Sequence, residues 1–157
     1  IHSAHRVIMS TEAASVHEEN YRRQPANYRP NISGMIVSGL LVPAHAYLKA
    51  QRIRKLFIDE LYVSIRDLDC LITPSSTTPA LKGLESTGSA AFNAPWSLAG
   101  FPSITIPYGL TDNDLPLGLQ LICGPHREEK LLRIAYWFEK KLDFPSKSVE
   151  PSIQDLQ

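Results

Sequence analysis

Serine, histidine, lysine, carboxylate and cysteine side chains are the raw material for hydrolytic or metal chemistry, and here their spacing narrows what they can do. Ser75 and Ser76 follow an apolar run that reads as a strand, and Ser86-Thr87-Gly88-Ser89 has the small, polar composition of a catalytic loop. A serine nucleophile needs a base within hydrogen-bond reach and backbone N–H groups aimed at the developing oxyanion. Neither segment brings a base and there is no Gly-x-Ser-x-Gly elbow, so these hydroxyls read as turn formers. The five histidines, His2, His5, His17, His45 and His126, are scattered and lack the i,i+4 spacing with a Glu base of a zinc hydrolase helix. His126 stands just before a helical pattern, where an imidazole can cap a helix or meet an anion, and reads as a surface helix start. Glu18 and Glu19 are adjacent, so on a helix they diverge by about 100° and form no facing acid-base pair. Lys49, Arg52, Arg54 and Lys55 read as the solvated face of a long helix, where nothing desolvates an ammonium. Cys70 and Cys123 lie in apolar strand patterns without Cys-x-x-Cys or Cys/His spacing; they read as buried free thiols in a reducing compartment. The expectation is therefore no catalytic residue, no metal site and no cofactor within this chain.

The elements that would position these groups alternate between helical and strand periodicity. Ala4, Val7, Ile8, Thr11 and Ala14 with Ser15 share one helical face, and Gln24-Pro25 ends that helix. Ile32, Met35, Ile36, Gly39 and Leu40 suggest a second helix between Pro30 and Pro43, in which Gly34 and Gly39 would permit close approach of a neighbour. A third helix, from about Ala44 to Ile65, carries the stripe Ala46, Ala50, Ile53, Phe57 and Leu61; at about 1.5 Å per residue it is long enough to cross a sheet. After the turn Asp67-Leu68-Asp69, Cys70–Thr73 is a continuous apolar run, the pattern of a strand covered on both faces. Residues 74–89, rich in Pro, Ser, Thr and Gly, form a loop off that strand end, where α/β proteins bind ligands.

The stretch from Ala91 to Pro125 organises the rest. Phe92, Trp96, Leu98 and Ala99 have roughly helical spacing, Gly100 is a C-cap and Pro102 blocks continuation. Ile104 and Ile106 alternate with Ser103 and Thr105, Leu117, Leu119 and Leu121 alternate in turn, and Asp112-Asn113-Asp114 supplies the turn that makes the two strands neighbours in one sheet. Residues 127–142 read as a final helix with Leu131, Leu132, Ala135, Phe138 and Leu142 inward and Glu128 and Glu129 complementing the dipole in its first turn; a polar tail follows from Pro145.

Length and charge bound the partners. A chain of 157 residues holds one domain, since about 150 residues bury about 70% of the unfolded surface. Sixteen basic and sixteen acidic residues leave no net field for nucleic acid or anionic lipid. No apolar run approaches the ~18 residues that span a bilayer, and no signal peptide opens the chain, which points to a cytoplasmic protein. Starting on Ile with a helical pattern almost at once, the chain reads as a C-terminal piece of something longer.

Three blocks in order then carry a family resemblance. Leu71-Ile72-Thr73-Pro74-Ser75-Ser76-Thr77-Thr78-Pro79-Ala80, Asn93-Ala94-Pro95-Trp96-Ser97-Leu98-Ala99-Gly100-Phe101-Pro102 with the strand after it, and Leu115-Pro116-Leu117-Gly118-Leu119-Gln120-Leu121 resemble the C-terminal part of amidase signature enzymes, as does Gly124–Leu132 at the entry to the last helix. The resemblance implies an α/β fold, a mixed sheet flanked by helices, over residues 1–143, with residues 144–157 as tail. It implies an amide hydrolase whose Ser, second Ser on a cis peptide and Lys all precede this segment. The partners it implies are the N-terminal portion of the same enzyme and a small-molecule amide; an open apolar edge would also admit a homo-oligomer. It further places Phe92, Asn93 and Trp96 on the acyl side of the substrate pocket, although Phe and Trp at i and i+4 on an apolar helix equally suit a core. Family members that serve as the A subunit of the glutamine-dependent tRNA amidotransferase carry paired Arg, a Leu-Gly-Thr and a Ser-Ser-Gly-Tyr-Tyr-Asp run before the long helix. Residues 32–44 depart from that pattern, which favours a free-standing amidase over such a subunit; a non-catalytic interaction module is the third reading.

Overall fold

The computed structural model describes residues 1–142 and 144; the polar tail expected from Pro145 lies outside them. Helix α1 (His2–Arg23) buries Ala4, Ile8, Ser10 and Ala14, close to the face its spacing predicts, and ends at Gln24 before a short 3-10 turn at Pro25–Asn27. Helix α2 (Pro30–Leu40) begins on its proline, whose missing N–H costs nothing at that position. It folds back on α1 through Gly39: a Cβ there would stand 1.9 Å from the Ser10 carbonyl oxygen and 2.8 Å from the Ala14 Cβ, so only glycine lets the two backbones meet. Gly34, by contrast, faces open space. Helix α3 (Ala44–Ile65) has the expected bounds. Of its stripe, Ala50 is buried against Ala4, Ile8 and Leu98, and Phe57 and Leu61 pack toward the sheet. Ile53, with Leu56 and Val63, stays exposed. Arg54 departs from the solvated face expected of it: its Nε donates to the Leu98 carbonyl at 2.7 Å, near the end of the next helix.

That next helix, α4 (Ala94–Ala99), is a short turn and a half closed as the sequence predicts. Gly100 takes φ +73°, and the Phe101 and Gly100 N–H groups return to the Trp96 and Ser97 carbonyls at 3.0 and 3.3 Å. Strands β1 (Leu71–Pro74), β2 (Ser103–Leu110) and β3 (Pro116–Ile122) form one antiparallel sheet in the order β1-β3-β2. The β2–β3 hairpin closes through Thr111, whose hydroxyl accepts from Leu115 N–H at 3.1 Å. Pro107 is tolerated because β2 is an edge strand with a register shift beside it. Helix α5 (Glu128–Leu142) opens on Glu128 and Glu129, as expected.

Register assigns the faces, since directly paired residues point to the same side of a sheet. Ile104, Ile106, Leu119, Leu121 and Cys123 lie under Leu131, Ala135 and Phe138 of α5. The opposite face, with Leu71 and Ile122, meets Phe57, Leu61 and Ile65 of α3 and Trp96 of α4. Helices thus flank the sheet on both sides, an α/β arrangement. One expectation fails: β1 is not covered twice, because α5 lies over β2 and β3, leaving Ile72 half exposed on the open side. A continuous apolar run reports covering that a longer assembly of elements would supply, and here only one face receives it. No single helix among the described residues is long and apolar enough to cross a membrane; α2 and α3 pass that test only together, across a 102° bend.

Candidate functional site: a polar chain at the strand ends

Thr73 and Gln120 are direct partners in the β1–β3 register, so both side chains rise from the same face of the sheet. There they start a directional chain of hydrogen bonds. The Thr73 hydroxyl donates to Gln120 Oε1 at 3.0 Å, Gln120 Nε2 donates to Asn93 Oδ1 at 2.7 Å, and Asn93 Nδ2 donates to the Ser75 carbonyl at 3.3 Å. Gln120 is 3% exposed, so both ends of its amide must be satisfied internally, and they are. Asn93 precedes the first residue of α4 but does not cap that helix; its amide turns to the sheet instead. Its outer edge is exposed. The arrangement holds one amide in a fixed orientation at the ends of β1 and β3, with a second Nδ2 hydrogen free to meet an acceptor.

Beside it opens a cleft of about 360 Å³ walled by the Ser75–Leu81 loop, Tyr108 and Gly118. The loop does border a pocket, as its position after a strand predicts. The Ser75 N–H extends the ladder by one step to the Gly118 carbonyl at 3.0 Å. The Ser76, Ser86 and Ser89 hydroxyls accept from the N–H groups two residues on, of Thr78, Gly88 and Ala91, at 3.4, 3.1 and 3.2 Å. These are turn bonds. No Lys, Arg, His, Asp or Glu lines the cleft, so no base stands ready to activate Ser75 or Ser76.

Of the three residues singled out for substrate contact, the structure brings Asn93 into the polar chain and places Phe92 half-buried immediately before it. Trp96 is also half-buried and packs toward Ala99, Phe101 and Ile122, while its indole N–H is enclosed without a hydrogen-bond partner among the described residues. None of the three lines the 360 Å³ cleft. Thr73 and Gln120 carry little signal in the sequence, because Thr73 closes a continuous apolar run and Gln120 is the polar member of a leucine alternation, a position that ordinarily faces water. The available signal was their pairing: two lone polar residues on strands that turn out to be adjacent.

The remaining titratable groups form no catalytic set. The Asp69 carboxylate accepts from Lys130 Nζ at 2.8 Å, and that hydrogen bond and charge hold its pKa below the ordinary carboxylate range. Burial, and to a lesser degree neighbouring His2, lowers the pKa of His5. Burial pushes both cysteine thiols up. His126 is exposed at the start of α5 with φ +58°, and no cluster of three or more His, Cys, Asp or Glu that could hold a metal occurs among the described residues.

Comparison with known proteins bears on family and fold. The family model described as Amidase matches residues 3–132. The A subunit of glutamyl-tRNA(Gln) amidotransferase from Halothermothrix orenii is 40% identical over 108 residues, covering 64% of this chain and 22% of that protein. The 1-carboxybiuret hydrolase subunit AtzE of Pseudomonas sp. strain ADP is 32% identical over 140 residues, covering 81% and 31% respectively. A crystal structure of an amidase superposes with a TM-score of 0.79 at 26% identity, over 89% of this chain and 35% of that one. The chain therefore spans about a fifth to a third of the length of the proteins it matches. Motifs, fold and these matches converge, and the chain belongs to the amidase signature family.

Proposed function

We propose that this chain is the C-terminal portion of an enzyme that hydrolyses a small-molecule amide, supplying sheet, helical cover and pocket wall to a serine nucleophile located elsewhere in the same protein. Acyl transfer to an amide needs an activated nucleophile, a proton route to the leaving amine and donors at the developing oxyanion. The described residues bring no such trio together, and the cleft serines face no base. What they do provide is the observation that carries this reading: a buried, directional chain from Thr73 through Gln120 fixes the exposed Asn93 amide at the strand ends. A rigid amide beside the half-buried Phe92 can orient a polar group of the substrate while the ring bounds its apolar part. Trp96, one turn on, would back that wall. The Ser nucleophile and the Lys acting through a second Ser belong to the family's preceding segment, and the partner of this chain is that segment.

A second reading has its own support. The match at 40% identity to an amidotransferase A subunit favours a role in which the amide hydrolysed is glutamine and ammonia passes to a tRNA-bound acyl group. Against it stands the match to the hydrolase subunit, which reaches over more of this chain. Assaying the full-length protein for aryl-amide hydrolysis and, with its candidate partner subunits, for tRNA-dependent transfer of glutamine nitrogen separates the two. Aryl-amide turnover without tRNA-dependent transfer is expected; transfer activity alone would overturn the free-standing reading.

A further inference from the structure

Cys70 immediately precedes β1 and Cys123 immediately follows β3. Register pairs Ile72 with Leu121 and Leu71 with Ile122, and the same register continued one residue beyond the paired strands places Cys70 opposite Cys123. Pairs in an antiparallel ladder alternate between those that exchange backbone hydrogen bonds and those that do not. The Ser75 N–H bonds to the Gly118 carbonyl, which makes Ser75/Gly118 a bonded pair, and counting back along the ladder makes Cys70/Cys123 a non-bonded one. Independent support comes from the other side of β3. The Cys123 N–H donates to the Pro102 carbonyl at 3.1 Å, toward β2, and so is turned away from β1. Non-bonded pairs hold their Cα atoms about 4.5 Å apart, inside the range of about 4.4–6.8 Å that a disulfide spans.

The thiols point the same way. Both sit in the cluster beneath α5, and Cys123 Sγ lies 3.4 Å from the Asp69 carbonyl, the peptide that leads into Cys70. Both also line a cleft of about 260 Å³ bounded by Tyr62, Arg127 and Lys130, which gives a small reagent access from outside. Cys70 is half-buried and Cys123 only 2% exposed, so the order of attack is set by access.

The geometry points to a dithiol modification site: Cys70 and Cys123 exchange with a small disulfide such as oxidised glutathione and close an intramolecular disulfide that ties edge strand β1 to central strand β3. The Cys70 thiolate attacks one sulfur of the small disulfide, forming a mixed disulfide and releasing the first small thiolate. The Cys123 thiolate then attacks the Cys70 sulfur, the mixed bond breaks and the second small thiolate leaves. Two protein thiols are oxidised, one small disulfide is reduced to two thiols, and the two protons end on those thiols. The ring closed is about 50 residues long and contains Thr73, Asn93 and Gln120, so oxidation ties together the strands that carry the polar chain.

The test is to reduce the full-length protein, remove the reductant, expose it to oxidised glutathione at neutral pH, and map disulfides by mass spectrometry after blocking free thiols. Expected is a peptide pair joined through Cys70 and Cys123 within one molecule, and a thermal midpoint raised by roughly 5–10 °C that returns to its starting value with dithiothreitol. In Cys123→Ala, Cys70 should instead stop at the glutathione mixed disulfide. Wild-type protein that retains glutathione on Cys70, links only between molecules, or keeps both thiols free under conditions that modify Cys70 in the alanine variant would overturn the assignment.

Discussion

Replacing Gln120 probes the polar chain most sharply. The side chain is almost wholly buried and makes two bonds, at 3.0 and 2.7 Å, to Thr73 and Asn93. In Gln120→Ala each lost bond is worth about 1 kcal/mol net, and a further 1 kcal/mol or so is expected from the void and from the Thr73 hydroxyl left without its acceptor, about 3 kcal/mol together. Asn93→Ala removes one of the same bonds and strands the buried Gln120 Nε2, which costs about 1–2 kcal/mol. The bond they share is lost only once in the double variant, so the two effects should fall short of additivity by about 1–2 kcal/mol. Urea unfolding of the four proteins, analysed by linear extrapolation, gives this coupling directly. Additivity within about 0.3 kcal/mol would show that Gln120 and Asn93 do not act as a unit, and the polar chain would lose its anchor.

Other outcomes follow from the packing. Trp96→Ala should cost about 3 kcal/mol for a large half-buried ring, while Trp96→Phe, which removes the partnerless indole N–H, should cost about 1 kcal/mol or less; equal losses in denaturant unfolding would refute the core packing assigned to the ring. If Trp96 also backs the pocket wall, Trp96→Phe in the full-length enzyme should shift the preference between small and large acyl groups, read as a ratio of kcat/KM values. Gly39→Ala should destabilise by about 2 kcal/mol because the new methyl meets the Ser10 backbone, whereas Gly34→Ala, in open space on the same helix, should stabilise by up to about 1 kcal/mol; a thermal melt of each settles the sign. The lowered Asp69 pKa means that its pairing with Lys130 contributes above the unfolded-state carboxylate pKa and is lost as pH falls through the folded one. Lys130→Met should therefore lower stability slightly at neutral pH, where the pair is formed, leave it unchanged below the folded carboxylate pKa and so flatten the acid limb of thermal midpoints measured against pH; the effect is small because the carboxylate is fully exposed.

Much of this architecture is legible in the residues. The 3.6-residue stripes of α1 and α5, the Gly100 cap and the alternation of Ile104 and Ile106 against Leu119 and Leu121 each encode their burial locally. What the residues conceal is tertiary. Cys70–Thr73 reads as a doubly covered strand, yet on one face the cluster beneath α5 reaches only Cys70 and leaves Ile72 half exposed. Arg54 belongs by spacing to a basic face, but reaches a carbonyl 44 positions away. Gln120 looks like the solvent-side member of a leucine alternation until α4 folds over it. Asn93 could be picked out from its motif alone, whereas its partners become visible only when register places Thr73 beside Gln120.

The central claim is that this chain furnishes scaffold and pocket wall while the nucleophile lies outside it, and hydrolysis of an aryl acetamide tests it most directly. The purified chain, the same chain joined to the enzyme's N-terminal portion, and both again carrying Ser75→Ala with Ser76→Ala would be compared. No turnover is expected from the chain alone, and turnover from the joined protein should survive the double substitution within about tenfold, since a nucleophile's loss costs on the order of 10⁶. Hydrolysis by the chain alone that the double substitution abolishes would place the nucleophile at the cleft serines and contradict the account.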